Sequence, residues 1–465
     1  MLSLTSPPAT SLWNDPADPV VASVLSHYQQ GVRRRDLAAV RQLRRILAPV
    51  GAPHYVVVVG TNGKSSTATY IARLLSAVGV RTGLYTSPHI SHWTERLLID
   101  GVPCDEHELL STLRSYDTVA QSQPEPLRRS LRFFDILSLV AEEIFGRHRV
   151  EVAVFESGIG GRLDATRALA PQVVALSSVG YDHQELLGDT LPEILVEKLG
   201  VAPPDATVVS APLTAELRQV ERDWAAAHSV TLVETEAEPV RHPAALIETD
   251  AEPARPPLVE TDAEPARPPL VETDAEPHDS PPAVSLPRFQ RQNLAVALRT
   301  CQEAARRFSL AIDPEALVGA SRAMDTGVTG RFHRGVLRGT RFLADTGHNV
   351  TAWQELRENL DAETERYVAV LALTTEREPR ELAETFAATP AIDAVVVTTT
   401  RVRRGHPPDA LADAFAGYPA PVTAAARPEL AFELGLQLAE QRGVSLLITG
   451  STYLVADFLA WLRVP

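Results

Sequence analysis

The residues best suited to chemistry lie in Val56–Thr67, VVVVGTNGKSST. Gly60, Thr61, Asn62, Gly63, Lys64, Ser65 and Ser66 follow a run of four valines and lead into an apolar-periodic stretch that predicts a helix over 66–78. A strand buried on both faces, a glycine loop, a lysine, a hydroxyl and a helix together make a phosphate-binding loop. Loop N–H groups and the positive helix end face an anion, Lys64 reaches its terminal phosphates, and a serine hydroxyl can meet Mg²⁺. The spacing is G-x-x-G-K-S, shorter than the common G-x-x-x-x-G-K-[ST]. A plain glycine turn between strand and helix leaves Lys64 unexplained.

Two further strand ends carry reactive side chains. EVAVFESGIGGRLDAT (151–166) reads as a buried strand with Glu156 at its carboxyl end and a glycine loop after it. VVALSSVGYDH (173–183) repeats the design with Asp182-His183. Ligands of open α/β sheets sit at the carboxyl ends of strands, so Glu156 stands where a metal or substrate would be. LPEILVEKLG (191–200) predicts a helix carrying Lys198, and TGLYTSPHI (82–90) a parallel strand ending at Thr86-Ser87-Pro88-His89.

The elements that must position these groups follow from the periodicity of the chain. Helices are expected over 20–48, 106–116 and 127–147, a hairpin-like strand and turn over 95–103, and a strand and helix over 206–228. From Leu232 the composition changes. LIETDAEPARPP, LVETDAEPARPP and LVETDAEPHDSPP begin at Leu246, Leu258 and Leu270, a period of 12. That unit is too short for a solenoid, and its acidic, proline-dense composition cannot bury enough apolar surface to offset ordering entropy. A flexible, semi-extended insertion over about 232–282 is expected. Helices resume at FQRQNLAVALRTCQEAARRF and 314–323, followed by a glycine-rich hinge, DTGVTGRF (325–332). Beyond it, strands near 342–346, 367–374, 394–400 and 445–449 alternate with helices near 351–361, 378–388, 408–416 and 427–442, a second βαβ unit without a phosphate loop of its own.

The bulk numbers exclude several classes. A length of 465 residues implies more than one domain. Of the net charge of −15, residues 232–280 carry two thirds, with thirteen Asp or Glu against three Arg. The remainder is near balance, which argues against a nucleic-acid partner. No apolar run is long enough to span a bilayer, and the opening MLSLTSPPATSLWNDP has neither the basic start nor the apolar core of a signal peptide. Cys104 and Cys301, far apart, make neither a disulfide framework nor a metal knuckle. A cytoplasmic protein is expected.

Taken in order, GTNGKSST (60–67), TSPHI with ERLLIDG (86–90, 95–101), FESGIGGRLDAT (155–166), SVGYDH with LGDTLPEILVEKLG (178–200), FQRQN (289–293), TGRF (329–332), DTGHN (345–349) and TGSTYLV (449–455) resemble the folylpolyglutamate synthase/dihydrofolate synthase branch of the Mur ligase superfamily. The resemblance implies an α/β fold: a Mur-ligase-type central ATPase domain over 1–325, interrupted by the acidic insertion, and a smaller Rossmann-like C-terminal domain over 326–465. It implies ATP-dependent amide formation, in which a carboxylate takes the γ-phosphate and the resulting acyl phosphate is captured by an amino acid. Positioning and charge neutralisation drive such chemistry.

By resemblance, Lys64 and the loop amides of 60–66 hold the phosphates, and Ser87, Glu156 and His183 ligate Mg²⁺. Lys198 corresponds to a lysine that is often carbamylated in the family, a change that turns a cation into an anion beside a second metal. Gln290 and Asn293 stand near adenine. Arg331 swings onto the phosphates when the domains close, Asp345 and His348 contact the nucleotide and the reacting groups, and Ser451 helps form the amino-acid pocket. The implied partners are small molecules: a folate-type carboxylic acid and L-glutamate, acting on a monomer. The chain departs from the family at Ser65, where a second glycine is usual, and at Asp135, Ser157, Arg167 and the flanks of DTGHNV. Residues serving ATP are kept while those nearer the acceptor side drift, so a ligase for a non-folate acid is the alternative. A non-catalytic nucleotide-binding scaffold is disfavoured by the intact set.

Overall fold

The computed structural model describes residues 19–28, 37–90, 92–236, 286–324, 328–361, 364–387, 389–401 and 405–463. The chain forms two sheets. Strands β1 (His54–Val59), β2 (Thr82–Tyr85), β3 (Leu97–Ile99), β4 (Val102–Pro103), β5 (Val152–Glu156), β6 (Val173–Leu176), β7 (Thr207–Ser210) and β8 (Thr231–Glu234) make the first. Their order is β4-β3-β2-β5-β1-β6-β7-β8. The β2-to-β8 part is parallel, while β3 and β4 add an antiparallel edge.

The valine run of β1 explains why this strand is central. Val57 and Val59 pack into one core cluster and Val56 and Val58 into the other, all with no exposed surface. Alternate side chains of a strand face opposite sides, so only a strand covered by helices on both faces can use four valines in a row. Each contributes roughly 1.5–3 kcal/mol by burial. One cover is the helix pair Lys64–Ala77 and Arg288–Phe308. The other includes the apolar helix Phe133–Arg147. Because β5 and β6 flank β1 on opposite sides, the loops after these three strands meet at a topological switch point, where such sheets bind ligands.

Strands β9 (His333–Leu337), β10 (Thr340–Ala344), β11 (Tyr367–Leu371), β12 (Ile392–Val397), β13 (Val422–Ala424) and β14 (Ser445–Thr449) make the second sheet, in the order β13-β12-β11-β14-β10-β9. All pairs are parallel except β9 with β10.

The structure departs from the sequence reading in several places. The helix expected over 127–147 is two, Glu125–Ser130 and Phe133–Arg147. The Asp135 carboxylate accepts from the Arg132 amide at 2.8 Å and starts a new helix there, so Asp135 is a capping residue. The stretch expected as one helix over 20–48 contains the helices Pro19–Tyr28 and Leu37–Leu47, with 29–36 outside the described residues. The insertion does not begin at Leu232: Thr231–Glu234 is the edge strand β8, paired with β7 and tied down by the bidentate Arg222–Glu234 ion pair at 2.6 and 2.7 Å. The repeats themselves, and residues 325–327 of the expected hinge, lie outside the described residues. Strands β9 and β13 and the helix Thr452–Trp461 were not foreseen. The two strands are short and partly exposed, so they carry little hydrophobic pattern.

Candidate active site

A cavity of 480 Å³ lies between the two sheets. Loops at the carboxyl ends of β1, β5 and β6 form one wall, and loops after β10 and β14 form the other. Among its lining residues are Gly60–Ser66, Ser87, Glu156, His183, Lys198, Gln290, Asn293, Arg331, Asp345 and His348. Every site residue singled out from the sequence, Ser451 excepted, is thus on one cavity. Ser451 is buried just behind it, where its hydroxyl caps the helix Thr452–Trp461 by accepting from the Tyr453 amide at 3.2 Å.

The phosphate loop is held from β6. The Asn62 amide donates to Ser178 Oγ at 2.9 Å, and Ser177 Oγ donates to the Asn62 carbonyl at 2.6 Å. Thr61 Oγ1 donates to the Gly180 carbonyl and accepts from the Gly180 amide, both at 3.0 Å. Two glycines are required by space. A Cβ on Gly60 would sit 2.0 Å from Ser177 Oγ, and one on Gly63 would sit 2.4 Å from Asn293 Oδ1. Gly63 also holds a left-handed φ of 76° immediately before the helix Lys64–Ala77. Lys64 Nζ curls back over the loop, donating to the Gly60 and Thr61 carbonyls at 3.0 and 3.1 Å. Burial lowers its pKa from the ordinary lysine value, opposed by the nearby Glu156 and Asp182.

Glu156 is 2% exposed and collects the hydroxyl of Ser65 at 2.9 Å and the backbone amide of Ser87 at 3.0 Å. Burial raises its pKa, while Lys64 and the Ser87 amide pull it down. Arg331, reaching over from the other wall, donates from Nη2 to Ser65 Oγ at 3.2 Å. Lys198, equally buried, donates to the Gly60 carbonyl at 2.9 Å. The glycine loop after β5 grips its helix. A Cβ on Gly161 would lie 2.2 Å from the Lys198 carbonyl oxygen, and Arg162 bonds Glu197 through its amide and its guanidinium. His183, at a left-handed φ of 50°, faces Asp182 and Glu185 at 3.9 and 3.7 Å. Burial lowers its pKa.

Gln290 and Asn293 share one helix face, and Asn293 Nδ2 donates to Gln290 Oε1 at 3.4 Å. Gln290 also accepts from Tyr70 at 3.0 Å and donates to Ser66 at 3.3 Å, which ties it to the phosphate-loop helix.

On the second wall, both Asp345 oxygens are used by backbone amides, Phe332 on Oδ2 and Gly347 on Oδ1, each at 2.8 Å. His348 donates from Nδ1 to the Thr346 carbonyl at 3.0 Å, which fixes the tautomer and leaves a lone pair on Nε2. Burial, with Arg377 and Arg331 adding to it, brings its pKa down to about 4, so the ring is neutral near pH 7.

Three residues bind the walls together to which the resemblance assigned no role: Asp182, read from the sequence only as a reactive strand-end group, Asn349 and Arg377. Asn349 and Asn62 exchange amide hydrogen bonds at 3.0 and 3.3 Å across the cavity mouth, and Asn349 also donates to Asp182 at 3.3 Å. Arg377 donates to Asp182 Oδ1 at 2.8 Å. Burial opposes ionisation of Asp182, but His183 and Arg377 outweigh it and hold its pKa near 2. Asn349 and Asp182 stood beside expected site residues in the sequence. Arg377, in the loop after β11, belongs to no motif. Trp93, Arg96 and Phe133 also line the cavity. The Arg96 guanidinium stacks over Trp93 at 4.8 Å and donates to His89 at 2.8 Å.

Comparison with known proteins gives the class of fold first. Residues 330–452 match the Mur ligase, glutamate ligase domain. The chain superimposes on a Mycobacterium tuberculosis folylpolyglutamate synthase complexed with ADP and AMPPCP, with a TM-score of 0.77 and 22% identity, covering 96% of this chain and 98% of that one. A bifunctional folylpolyglutamate synthase/dihydrofolate synthase from Yersinia pestis, complexed with AMPPNP and a Mn ion, gives 0.74 and 23% over 96% and 99%. The fold is therefore that of the Mur-type ligases.

The particular group comes from sequence. The chain is 39% identical over 192 residues to a probable bifunctional folylpolyglutamate synthase/dihydropteroate synthase of Haloferax volcanii, covering 39% of this chain and 22% of that protein. It is 31% identical over 193 residues to the Bacillus subtilis dihydrofolate synthase/folylpolyglutamate synthase, covering 40% and 45%. The matched stretches span less than half of each of these relatives. The resemblance to the folylpolyglutamate synthase/dihydrofolate synthase group holds.

Proposed function

We propose that this chain is an ATP-dependent ligase that joins a small carboxylic acid to the amine of an amino acid, with a folate or dihydropteroate carboxylate and L-glutamate as the substrates. The observation that carries this reading is the meeting of the phosphate loop, Glu156 and Lys198 with Arg331 and His348 of the other wall on one cavity. A nucleotide-binding module has no need of the second wall. A ligase needs it to bring the acid, the γ-phosphate and the amine together away from water.

The chemistry follows from what these groups can do. An oxygen of the substrate carboxylate attacks the γ-phosphorus of ATP, the bond to ADP breaks, and an acyl phosphate forms. Lys64, Arg331 and the loop amides neutralise the transferred group. The amine then adds to the acyl carbon, phosphate leaves, and the amine proton goes to a base. His348, neutral and with its Nε2 lone pair free of the Thr346 bond, can accept a hydrogen bond from the attacking amine and orient it, while the departing phosphate, a stronger base than this ring, carries the proton away.

The donor set fits Mg²⁺. Among the described residues no group of three or more His, Cys, Asp or Glu converges, and Mg²⁺ is usually held by one or two carboxylates, with waters and phosphates completing its shell. Glu156 would be that carboxylate, with the Ser65 hydroxyl, Ser87 and His183 around it. Bound there, the ion would neutralise charge on the phosphates. Carbamylation of Lys198 would replace its bond to Gly60 with a buried anion beside that site.

In this reading residues 1–325 and 326–465 are two domains that close on the substrates. The protein acts as a cytoplasmic monomer. Among the described residues no helix is long and apolar enough to cross a membrane.

The test is release of ADP on incubation with ATP, Mg²⁺, glutamate and either dihydropteroate or tetrahydrofolate. Turnover on either supports the folate reading. Turnover only on another acid replaces the substrate but keeps the ligase, and the altered flanks of Asp345 and His348 are the features that favour this second outcome.

A further inference from the structure

One charged side chain crosses between the walls without reaching the cavity. Arg377, in the loop after β11, is not among the lining residues, yet its guanidinium donates to Asp182 Oδ1 at 2.8 Å on the opposite wall. The two side chains are only 22% and 7% exposed, so salt and water screen the pair little. The loop that carries Arg377 is itself braced. The Arg377 amide donates to the Thr374 carbonyl at 3.0 Å, the Arg377 carbonyl accepts from His406 Nε2 at 2.9 Å, and Thr374 pairs with Gly405. A guanidinium fork on a braced loop holds its partner at a set place.

Asp182 belongs to the turn after β6, residues 178–183, and that turn faces both ways. Towards the first wall it holds the phosphate loop, Ser178 on Asn62 and Gly180 on Thr61. Towards the second wall it meets Arg377 and Asn349 through Asp182, and it packs against Thr351 so closely that a Cβ on Gly180 would lie 3.1 Å from the Thr351 hydroxyl. Asn349 follows His348 in the chain, so the contacts that seat the second wall on this turn also seat the ring that meets the amine. Of these contacts Arg377–Asp182 is the charged one. Asn349 divides its amide among Asp182, Asn62 and the Ala352 amide, whereas among the described residues the Arg377 guanidinium makes no second hydrogen bond.

In the ATP-ligase reading, on which this rests, we propose that Arg377 is a positioning residue for amide formation: by holding Asp182 it keeps the second wall seated while the acyl phosphate waits for the amine. When the walls part, water adds to the acyl carbon in place of the amine, phosphate leaves, the acid is regenerated, and the water protons go to phosphate and solvent. Each such event consumes one ATP and yields no amide. Loss of a charge-assisted hydrogen bond shifts an equilibrium by about tenfold or more, which is ample to expose the intermediate.

The test counts ADP and amide in the same reaction. The full chain is incubated with ATP, Mg²⁺, L-glutamate and dihydropteroate or tetrahydrofolate, or the acid that replaces them in the ligase assay. The unsubstituted protein should release about one ADP per amide, as coupled acyl transfer requires. Arg377→Met keeps the reach and drops the charge, and should release at least about twofold more ADP than amide at low glutamate. The excess should fall as glutamate is raised, because amine and water compete for one intermediate. Arg377→Lys keeps the charge and should bring the ratio back towards that of the unsubstituted protein. The ratio is counted per turnover, so loss of folded protein lowers ADP and amide together and leaves it unmoved. An unchanged ratio in Arg377→Met, or an excess as large in Arg377→Lys as in Arg377→Met, overturns the role of the Arg377 charge while leaving the ligase standing. No ADP release by the unsubstituted protein on any acid overturns both.

Discussion

Glu221 offers a measurable consequence of the way the first sheet ends. It lies on the helix Ala215–Ala227 with no exposed surface, and neither carboxylate oxygen has a hydrogen-bond partner. The Ser210 hydroxyl beside it donates to the Ala211 carbonyl at 3.0 Å. Burial therefore raises its pKa from 4.5 to about 7, opposed by the adjacent Ser210 hydroxyl and by Arg222, with Glu234 on β8 adding to the rise. Below the lower value both the folded and unfolded chains hold the proton. Between the two the unfolded chain ionises while the fold stays neutral, so rising pH favours unfolding. Above the higher value both are ionised and the penalty stays constant. The loss amounts to about 3 kcal/mol across that window. Glu221→Gln stays neutral throughout. Its amide has its own cost, but that cost is the same at every pH and cancels in the comparison. Thermal unfolding of both proteins should therefore give matching midpoints near pH 4.5, offset at most by a constant. The glutamine variant should then gain roughly 6–10 °C by pH 8 in the transition of the part containing the first sheet. Parallel midpoint curves for the two proteins from pH 4.5 to 8 would refute the claim that Glu221 folds as the neutral acid.

Three further outcomes are expected. Lys64→Ala should lower turnover of ATP by at least about a hundredfold with the fold intact, because a preorganised charge on the transferred phosphate is lost; a normal rate would place the phosphates elsewhere. Gly63→Ala should cost roughly 1–3 kcal/mol and weaken nucleotide binding, since its Cβ would press on Asn293 at 2.4 Å while holding a left-handed φ; calorimetric titration with ATP reads both effects if the melting point is recorded alongside. Arg377→Ala should remove the bond that helps hold Asp182 ionised across the two walls, so the variant should be less stable at neutral pH, and the difference between the two proteins should shrink as pH falls from 3.8 towards 2. The sign follows from Asp182 having a depressed pKa: its contribution is present above the unfolded value and disappears as pH falls through the folded one. An unchanged acid unfolding profile would exclude that role.

The sequence by itself determined the local parts. Four valines, a glycine-broken loop, Lys64 and an apolar helix can form only one kind of strand–loop–helix, because strand period, positive φ and helix period are set within a few residues. The same holds for Glu156, His183 and Lys198, each placed by its own strand or helix. Where local signals are weak the reading slipped. Leu131-Arg132 breaks a continuous apolar stretch through a cap, and Thr231–Glu234 looks like the start of the acidic repeats yet is fixed as a strand by its neighbour β7. Tertiary structure alone decided how the two walls meet. Arg377 and Asp182 are remote in the chain, as are Asn349 and Asn62, and no periodicity couples such pairs. Nor could the chain order reveal that the two Asp345 oxygens accept from the Phe332 and Gly347 amides. Which polar groups remain for a ligand depends on the whole hydrogen-bond network, and that network exists only once both sheets have packed.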